Sequence, residues 1–155
     1  MGREKLGLSA SLEDYLEAIH NLSSKTGAVR SKDIAKRLAV ARASVTGALR
    51  LLKGKGLANY EPYGPVTLTP SGQRIASEVA AKHRVLKAFF VNILGVNDLD
   101  AQRAACRAEH AMGSDIIERL LSFVEYVDHG RLNGRDLVKE FQQFCTEKAS
   151  NEVGK

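Results

Sequence analysis

Apolar residues recur at helical spacing along most of this chain. Leu12, Leu16 and Ile19 share one face of a first helix, and Val45 and Leu49 share one face of a later one. The full pattern predicts helices over residues 11–22, 31–38, 42–53, 70–93, 98–112, 115–127 and 136–148. The predicted fold is therefore mostly α.

The second and third predicted helices are separated by only three residues, 39–41, which is typical of a helix-turn-helix unit. Two short β-type runs follow directly, over 57–61 and 66–68, on either side of the turn Pro62-Tyr-Gly-Pro65. A hairpin in this position is a wing. The first part of the chain is therefore expected to form a winged helix-turn-helix.

Charge divides the chain in a similar place. Residues 1–75 carry twelve Lys or Arg against six Asp or Glu, whereas residues 76–155 carry eleven against twelve. A basic first part indicates nucleic-acid binding, and a neutral second part indicates another role. We therefore predict two domains: a winged helix-turn-helix with a short β-hairpin wing over 1–75, and an all-helical domain over 76–155.

The second helix of a helix-turn-helix enters the major groove, where its N-terminal half contacts base edges. The predicted partner is double-stranded DNA. Winged helices also serve as protein–protein modules, but the basic first domain favours DNA. The residues expected to contact DNA are Arg42, Ala43, Ser44, Thr46, Gly47 and Arg50, together with Lys53 and, at the tip of the wing, Tyr63.

Cys106, Glu109 and His110 stand at i, i+3 and i+4, so a helix places them on one face. A thiolate, a carboxylate and an imidazole suit a divalent transition metal, although three donors do not close a coordination shell. The same pattern is also typical of a buried thiol beside two surface polar groups. Cys145 has no donor neighbours and is expected to pack on the apolar face of its helix. The other donors available are Asp14, Glu17 and His83.

No apolar run approaches the length of a membrane span, and the N-terminus lacks the apolar core of a signal peptide. We therefore expect a cytoplasmic protein with no membrane partner, in which both cysteines remain thiols. The sequence contains no phosphate-binding loop, no His-Glu-x-x-His and no nucleophile elbow. An enzyme acting on a small organic substrate is therefore not expected.

Five segments match the motifs of one known family, and they occur in the same order as in that family. They are Leu12-Glu-Asp-Tyr-Leu-Glu-Ala-Ile19, Ser44-Val-Thr46, Leu68-Thr-Pro-Ser-Gly72, Lys82-His-Arg84 and Ala105-Cys-Arg-Ala-Glu-His-Ala-Met112. With them, the chain resembles the diphtheria-toxin-repressor and manganese-transport-regulator family of metal-dependent repressors. The resemblance implies that residues 76–155 bind metal and dimerise, and that a homodimer binds a palindromic operator. It also implies the shorter architecture of the family, without an SH3-like third domain.

The resemblance further implies one metal site that combines the donors Asp14, Glu17, His83, Cys106, Glu109 and His110. This set is a hybrid, because Asp14 is similar to the manganese type and Cys106 to the iron type. Lys87 and Gln102 stand where the iron type has ligands of an ancillary site, which is therefore incomplete. Carboxylates suit Mn²⁺, but a thiolate favours softer ions, so Fe²⁺ is slightly favoured over Mn²⁺.

These features predict a metal-dependent transcriptional regulator, acting as a repressor in iron or manganese homeostasis. The apolar stripe over 116–127, together with part of the fifth helix, is expected to form the dimer interface. Two other interpretations remain open. A winged-helix regulator could act without a ligand or sense oxidation through Cys106, and a small metalloenzyme could use the same donors, although no separate general base stands near them.

Overall fold

The computed structural model describes residues 8–26, 29–132, 134 and 136–152. The described residues form two compact units, of which the first ends at Ala81 and the second begins at Lys82. The extreme residues of the two predicted domains, 1–7 and 153–155, lie outside the described part. Among the described helices, none is both long and apolar enough to cross a membrane.

The architecture is mostly helical with one small hairpin, as the periodicity predicts. A π-helical turn, Phe89–Ile93, directly continues the fourth helix. The strands are β1 (Ala58–Asn59) and β2 (Thr67–Leu68). The helices are α1 (Ala10–Thr26), α2 (Ser31–Leu38), α3 (Arg42–Gly54), α4 (Pro70–Ala88), α5 (Asp98–Ala108), α6 (Ser114–Leu132) and α7 (Leu137–Glu152).

The first unit is built around the apolar faces of α1, α2 and α3. Its largest fully buried side chains include Leu16, Ile19, Ile34 and Leu49, which belong to one contiguous core. The turn between α2 and α3 begins at Ala39, whose left-handed φ of 55° ends α2 and lets the chain change direction within three residues. The predicted helix-turn-helix is confirmed.

The two strands of the wing are shorter than the β-type runs predicted from the sequence. β1 and β2 pair antiparallel over two residues each, with Ala58 opposite Leu68. A further bridge joins Val29 to Val66, whose N–H donates to the carbonyl of Val29 at 2.8 Å. The wing is thus attached to the segment that precedes α2, and Tyr63 at its tip is completely exposed.

Thr69 and Pro70 begin α4 as the sequence predicts. The hydroxyl of Thr69 accepts a hydrogen bond from the N–H of Gly72 at 3.1 Å, and proline occupies the first helical position. The N–H of Thr69 also donates to the carbonyl of Leu57 at 3.1 Å. The first turn of α4 therefore packs directly on the residue that enters β1.

Gly72 permits this close packing, and we expect Gly72→Ala to destabilise the protein strongly. A Cβ at this position would lie 1.9 Å from the carbonyl oxygen of Leu57, so backbone must shift. Overpacking of this kind costs about 3 kcal/mol at the upper end of the usual range. Denaturant unfolding should show the loss. Gly54→Ala, where a Cβ would meet nothing within 4 Å, should be neutral or slightly stabilising; equal behaviour of the two variants would contradict the packing argument.

The second unit has two separate apolar clusters. Leu86, Ala105 and Ile117 form one between α4, α5 and α6. The other joins the π-helical turn to α6 and α7 through Ile93, Val127 and Val138. In the π-helical turn the N–H of Leu94 bonds the carbonyl of Phe89 at 3.2 Å, which lengthens the helical run before Gly95 ends it at a φ of 71°.

Two sequence-based expectations differ from the structure in this unit. α5 ends at Ala108 rather than at residue 112. Cys145 is exposed instead of packed, since the core contacts of α7 come from its first turn, at Leu137 and Val138.

α7 begins at a side-chain cap. The carboxylate of Asp136 accepts a hydrogen bond from the N–H of Lys139 at 3.1 Å, and the guanidinium of Arg131 lies 3.4 Å away. These contacts hold the pKa of the Asp136 carboxyl below its usual value, with the backbone bond as the largest cause. The carboxylate therefore marks the start of the last helix.

Candidate metal centre and nucleic-acid interface

The centre of the candidate metal site is a buried contact between α4 and the end of α5. His83 is 8% exposed, and Glu109 is 1% exposed. Nδ1 of His83 and Oε2 of Glu109 are 2.6 Å apart, a hydrogen bond in which the imidazole donates when that nitrogen carries the proton. A carboxylate and an imidazole are thus brought together from positions 26 residues apart.

Cys106, Glu109 and His110 remain together although the α-helix ends before the last two of them. Glu109 keeps helical dihedrals, with φ of −59° and ψ of −31°, so the i, i+3, i+4 arrangement persists into the turn. One donor atom of each of the three residues lies within 4.8 Å of those of the others. Nε2 of His110 lies 3.4 Å from Oε1 of Glu109. The predicted cluster on one face is therefore present.

This donor set fits a divalent transition metal. Among the described residues, Oε1 of Glu109 accepts no hydrogen bond even though it is inaccessible to solvent. Burying a carboxylate oxygen without a hydrogen bond is costly, and a bound cation would compensate that cost at Oε1. The half-buried thiol of Cys106 and the imidazole of His110 add a soft and an intermediate donor beside it.

The remaining predicted donors lie in the first unit. Asp14 and Glu17 are half-buried on α1, and Oε1 of Glu17 lies 3.5 Å from the Nδ2 donor of Asn21. At i and i+3 the two carboxylates share one side of the helix. Their participation in the metal site stays a prediction that the resemblance carries.

The side chain of Lys87 forms an ion pair rather than offering a metal ligand. Its ammonium lies 2.8 Å from Oδ1 of Asp98, so it links α4 to the first turn of α5. The position is occupied by a cation that forms an ion pair, and the incompleteness of the ancillary site stays a prediction.

The predicted DNA-contacting face of α3 is open to solvent. Arg42, Ala43, Ser44, Gly47 and Arg50 are all exposed. Thr46 is half-buried, and its hydroxyl donates to the carbonyl of Arg42 at 3.1 Å. Tyr63 stands fully exposed at the wing tip, with a φ of 66° that the tight turn imposes. These positions have the accessibility that DNA contact requires.

Lys53 has a different environment from the one expected. Its ammonium lies 2.5 Å from Oε1 of Glu61, the residue that begins the turn of the wing. The charge of Lys53 is thereby partly neutralised, so a contact with a phosphate would have to compete with this ion pair. Its role in DNA binding stays a prediction.

A groove of about 490 Å³ separates α3 from the wing, and it includes residues that sequence reasoning missed. Four of its lining residues are cationic and none is acidic. The missed members are Arg30, Ser31, Lys32, Tyr60, Pro62 and Gly64, which join the predicted residues Arg42, Thr46, Arg50 and Tyr63. The sequence feature that could have indicated this part of the groove is the pair of basic residues Arg30 and Lys32 at the start of α2, because the first helix of the motif crosses the DNA backbone.

Comparison with known proteins agrees with this division into a DNA-binding and a metal-binding part. Residues 7–66 match the "Iron dependent repressor, N-terminal DNA binding domain", and residues 69–132 match the "Iron dependent repressor, metal binding and dimerisation domain". The HTH-type transcriptional regulator MntR of Geobacillus kaustophilus is 33% identical over 136 residues, which are 86% of this chain and 96% of that protein. The chain belongs to the diphtheria-toxin-repressor and manganese-transport-regulator family.

Other members of the family extend the comparison. An uncharacterized HTH-type transcriptional regulator of Methanocaldococcus jannaschii is 37% identical over 119 residues, 76% of this chain and 95% of that one. A solved manganese-dependent transcriptional repressor in complex with manganese has 30% identity and a TM-score of 0.68 over 74% of this chain. The chain spans about half the length of that structure, 53%.

Membership in this family of transcriptional regulators supports a divalent metal as the cofactor and DNA as the partner. The chain is therefore a metal-dependent transcriptional regulator rather than an enzyme. Its two matched segments are a DNA-binding domain and a metal-binding and dimerisation domain.

Proposed function

We propose that the protein is a metal-activated repressor that binds a palindromic operator as a homodimer. The observation that carries the proposal is the buried bond between His83 and Glu109, with Cys106 and His110 beside it. Cys106, Glu109 and His110 offer donor atoms within 4.8 Å of one another, and His83 bonds Oε2 of the same carboxylate. The other oxygen, Oε1 of Glu109, accepts no hydrogen bond from the described residues. The full proposed ligand set is Asp14, Glu17, His83, Cys106, Glu109 and His110.

We propose Fe²⁺ as the activating ion, ahead of Mn²⁺. Carboxylates and imidazoles serve both ions, so the thiol of Cys106 is the residue that distinguishes them. A thiolate ligand shifts preference towards the softer ion, and availability in the cell acts on top of that preference.

The mechanism follows from charge on the chain's own residues. Asp14, Glu17, Cys106 and Glu109 carry or acquire negative charge, and groups of like charge repel when they are brought together. A bound divalent cation supplies the positive charge that removes this repulsion. With the ligand residues held together, the recognition helices of a homodimer can keep the spacing of one DNA turn, about 34–36 Å.

The dimer surface would include the apolar side chains that α6 leaves exposed. Ile116, Leu121, Phe123 and Tyr126 are between 41% and 65% exposed. A second copy of the dimerisation domain would remove this apolar surface from water. The proposed assembly occurs in the cytoplasm, where DNA and the metal pool are both accessible.

Operator binding measured with and without metal tests the proposal. We expect a duplex selected from a random pool to bind at least about tenfold more tightly with Fe²⁺ or Mn²⁺ than with chelator, within the usual range of coupling between sites. The titration is performed without oxygen and repeated with Zn²⁺. Equal affinity with chelator and with Fe²⁺ would contradict the proposal, and an affinity that instead changes with peroxide would favour a redox regulator.

A further inference from the structure

Lys82 is a buried lysine that the proposed metal and DNA sites do not use. The residue is only 7% exposed, although lysine is among the residue types that are seldom fully buried. Its Nζ donates a 2.9 Å hydrogen bond to the backbone carbonyl of Met112, thirty residues away. A charged donor makes a stronger bond than a neutral one, so this contact attaches the segment around Met112 firmly to α4.

Lys82 and His83 are consecutive on α4, and together they attach both ends of one turn. His83 contacts Glu109 where the turn begins, at 2.6 Å, and Lys82 bonds Met112 where it ends. His110 lies between these two attachment points. The turn that carries two of the proposed metal donors is therefore held to α4 by two adjacent residues.

The turn needs such attachments because it lies outside regular helix. Cys106 is held by the hydrogen bonds of α5, which ends at Ala108. Beyond that residue the N–H groups of Ala111 and Met112 both bond the carbonyl of Ala108, at 3.0 and 3.1 Å, and the chain turns towards α6. The Met112 side chain packs on the cluster around Leu86, which is a third contact at the same end.

We propose that Lys82 is a positioning residue that holds the Glu109–Met112 turn in its metal-binding conformation. This inference rests on the proposed metal site. A ligand set that is already in place loses less conformational freedom on binding, and therefore binds more tightly. Partners that orient metal ligands typically contribute about 10–100-fold to metal affinity, and Lys82 acts through the backbone, so we expect about tenfold from it.

Titration with Co²⁺ alone tests this role without DNA and without repressor activity. The purified full chain is titrated anaerobically, and the charge-transfer absorption from thiolate to Co²⁺ reports both affinity and Cys106 ligation. Lys82→Met keeps the length of the apolar stem but removes the donor, and it should weaken Co²⁺ binding about tenfold. Lys82→Arg retains a cationic donor and should restore most of the affinity.

Lys87→Met is the matched control on the same helix. It removes the ion pair with Asp98 at the beginning of α5, far along that helix from the turn, and should leave Co²⁺ affinity unchanged. Thermal unfolding of every metal-free variant is measured alongside. If Lys82→Met does not fold, Lys82→Gln takes its place with the same expected loss.

Two results would contradict the positioning role of Lys82, and a third would contradict the metal site. Wild-type Co²⁺ affinity in Lys82→Met would overturn it. Equal losses in Lys82→Met and Lys82→Arg, with equal falls in metal-free Tm, would also overturn it, because they would indicate a general packing role. Failure of the unmodified protein to bind Co²⁺ would instead overturn the proposed metal site itself, so the two failures are distinguishable.

Discussion

Replacing Glu109 by glutamine is expected to abolish the metal response while leaving the metal-free protein at least as stable as the original. The two effects have opposite signs because the buried carboxylate favours metal binding but lowers the stability of the metal-free protein. At 1% exposure it lies where burial of a charge is unfavourable, and one of its oxygens accepts no hydrogen bond from the described residues.

Glutamine has nearly the shape of glutamate and can keep a hydrogen bond to His83, so packing should be preserved. It removes the negative charge that would compensate a cation. Because partners outside the ligand shell already contribute about 10–100-fold to metal affinity, loss of a direct ligand should cost at least the upper end of that range.

Thermal unfolding with and without metal measures both effects. A ligand present at 100 times its Kd stabilises the folded state by about 2.7 kcal/mol, which raises Tm by roughly 5–11 °C for a chain of this size. We expect that increase in the unmodified protein and none in Glu109→Gln. The control is Glu140→Gln, an exposed glutamate on α7, which should keep the increase. A normal metal-induced increase in Glu109→Gln would remove Glu109 from the site.

Much of the fold follows from periodicity and turn chemistry, because local rules act strongly there. Thr69 and Pro70 predict the start of α4, and the three-residue gap after Leu38 predicts the turn of the helix-turn-helix. The end of α5 could not be predicted in this way. No proline or glycine stands between Asp98 and Gly113, so the helical pattern continues in the sequence, whereas the chain turns after Ala108 to enter α6.

The candidate site could be predicted in its chemistry but not in its supporting contacts. Spacing alone indicates that Cys106, Glu109 and His110 share a face, and the resemblance adds His83. The bond from Lys82 to Met112 joins residues thirty positions apart, and no local pattern encodes it. Arg30 and Lys32 belong to the groove for a similar reason, since the wing and α3 meet them only in the folded unit.

The second large expected effect concerns substitutions of the groove residues, which should distinguish DNA-binding affinity from sequence specificity. Arg50 lies on the exposed face of α3, where an arginine can form paired bonds with a guanine. Arg30 flanks α2 on the other side of the same groove, where the DNA backbone would pass. We therefore expect Arg50→Ala to relax sequence preference and Arg30→Ala to weaken binding to all sequences alike.

Fluorescence anisotropy on operator and scrambled duplexes over a range of salt concentrations distinguishes the two roles. Arg50→Ala should lose about 1–3 kcal/mol on the operator and much less on the scrambled duplex. Arg30→Ala should weaken both, and the slope of log K against log salt should become shallower by about 0.9, the value for one phosphate contact. Arg37→Ala, exposed on α2 but outside the groove lining, is the control. An unchanged salt slope in Arg30→Ala would exclude Arg30 from the backbone contact, because a residue that neutralises a phosphate must release a counterion when it binds.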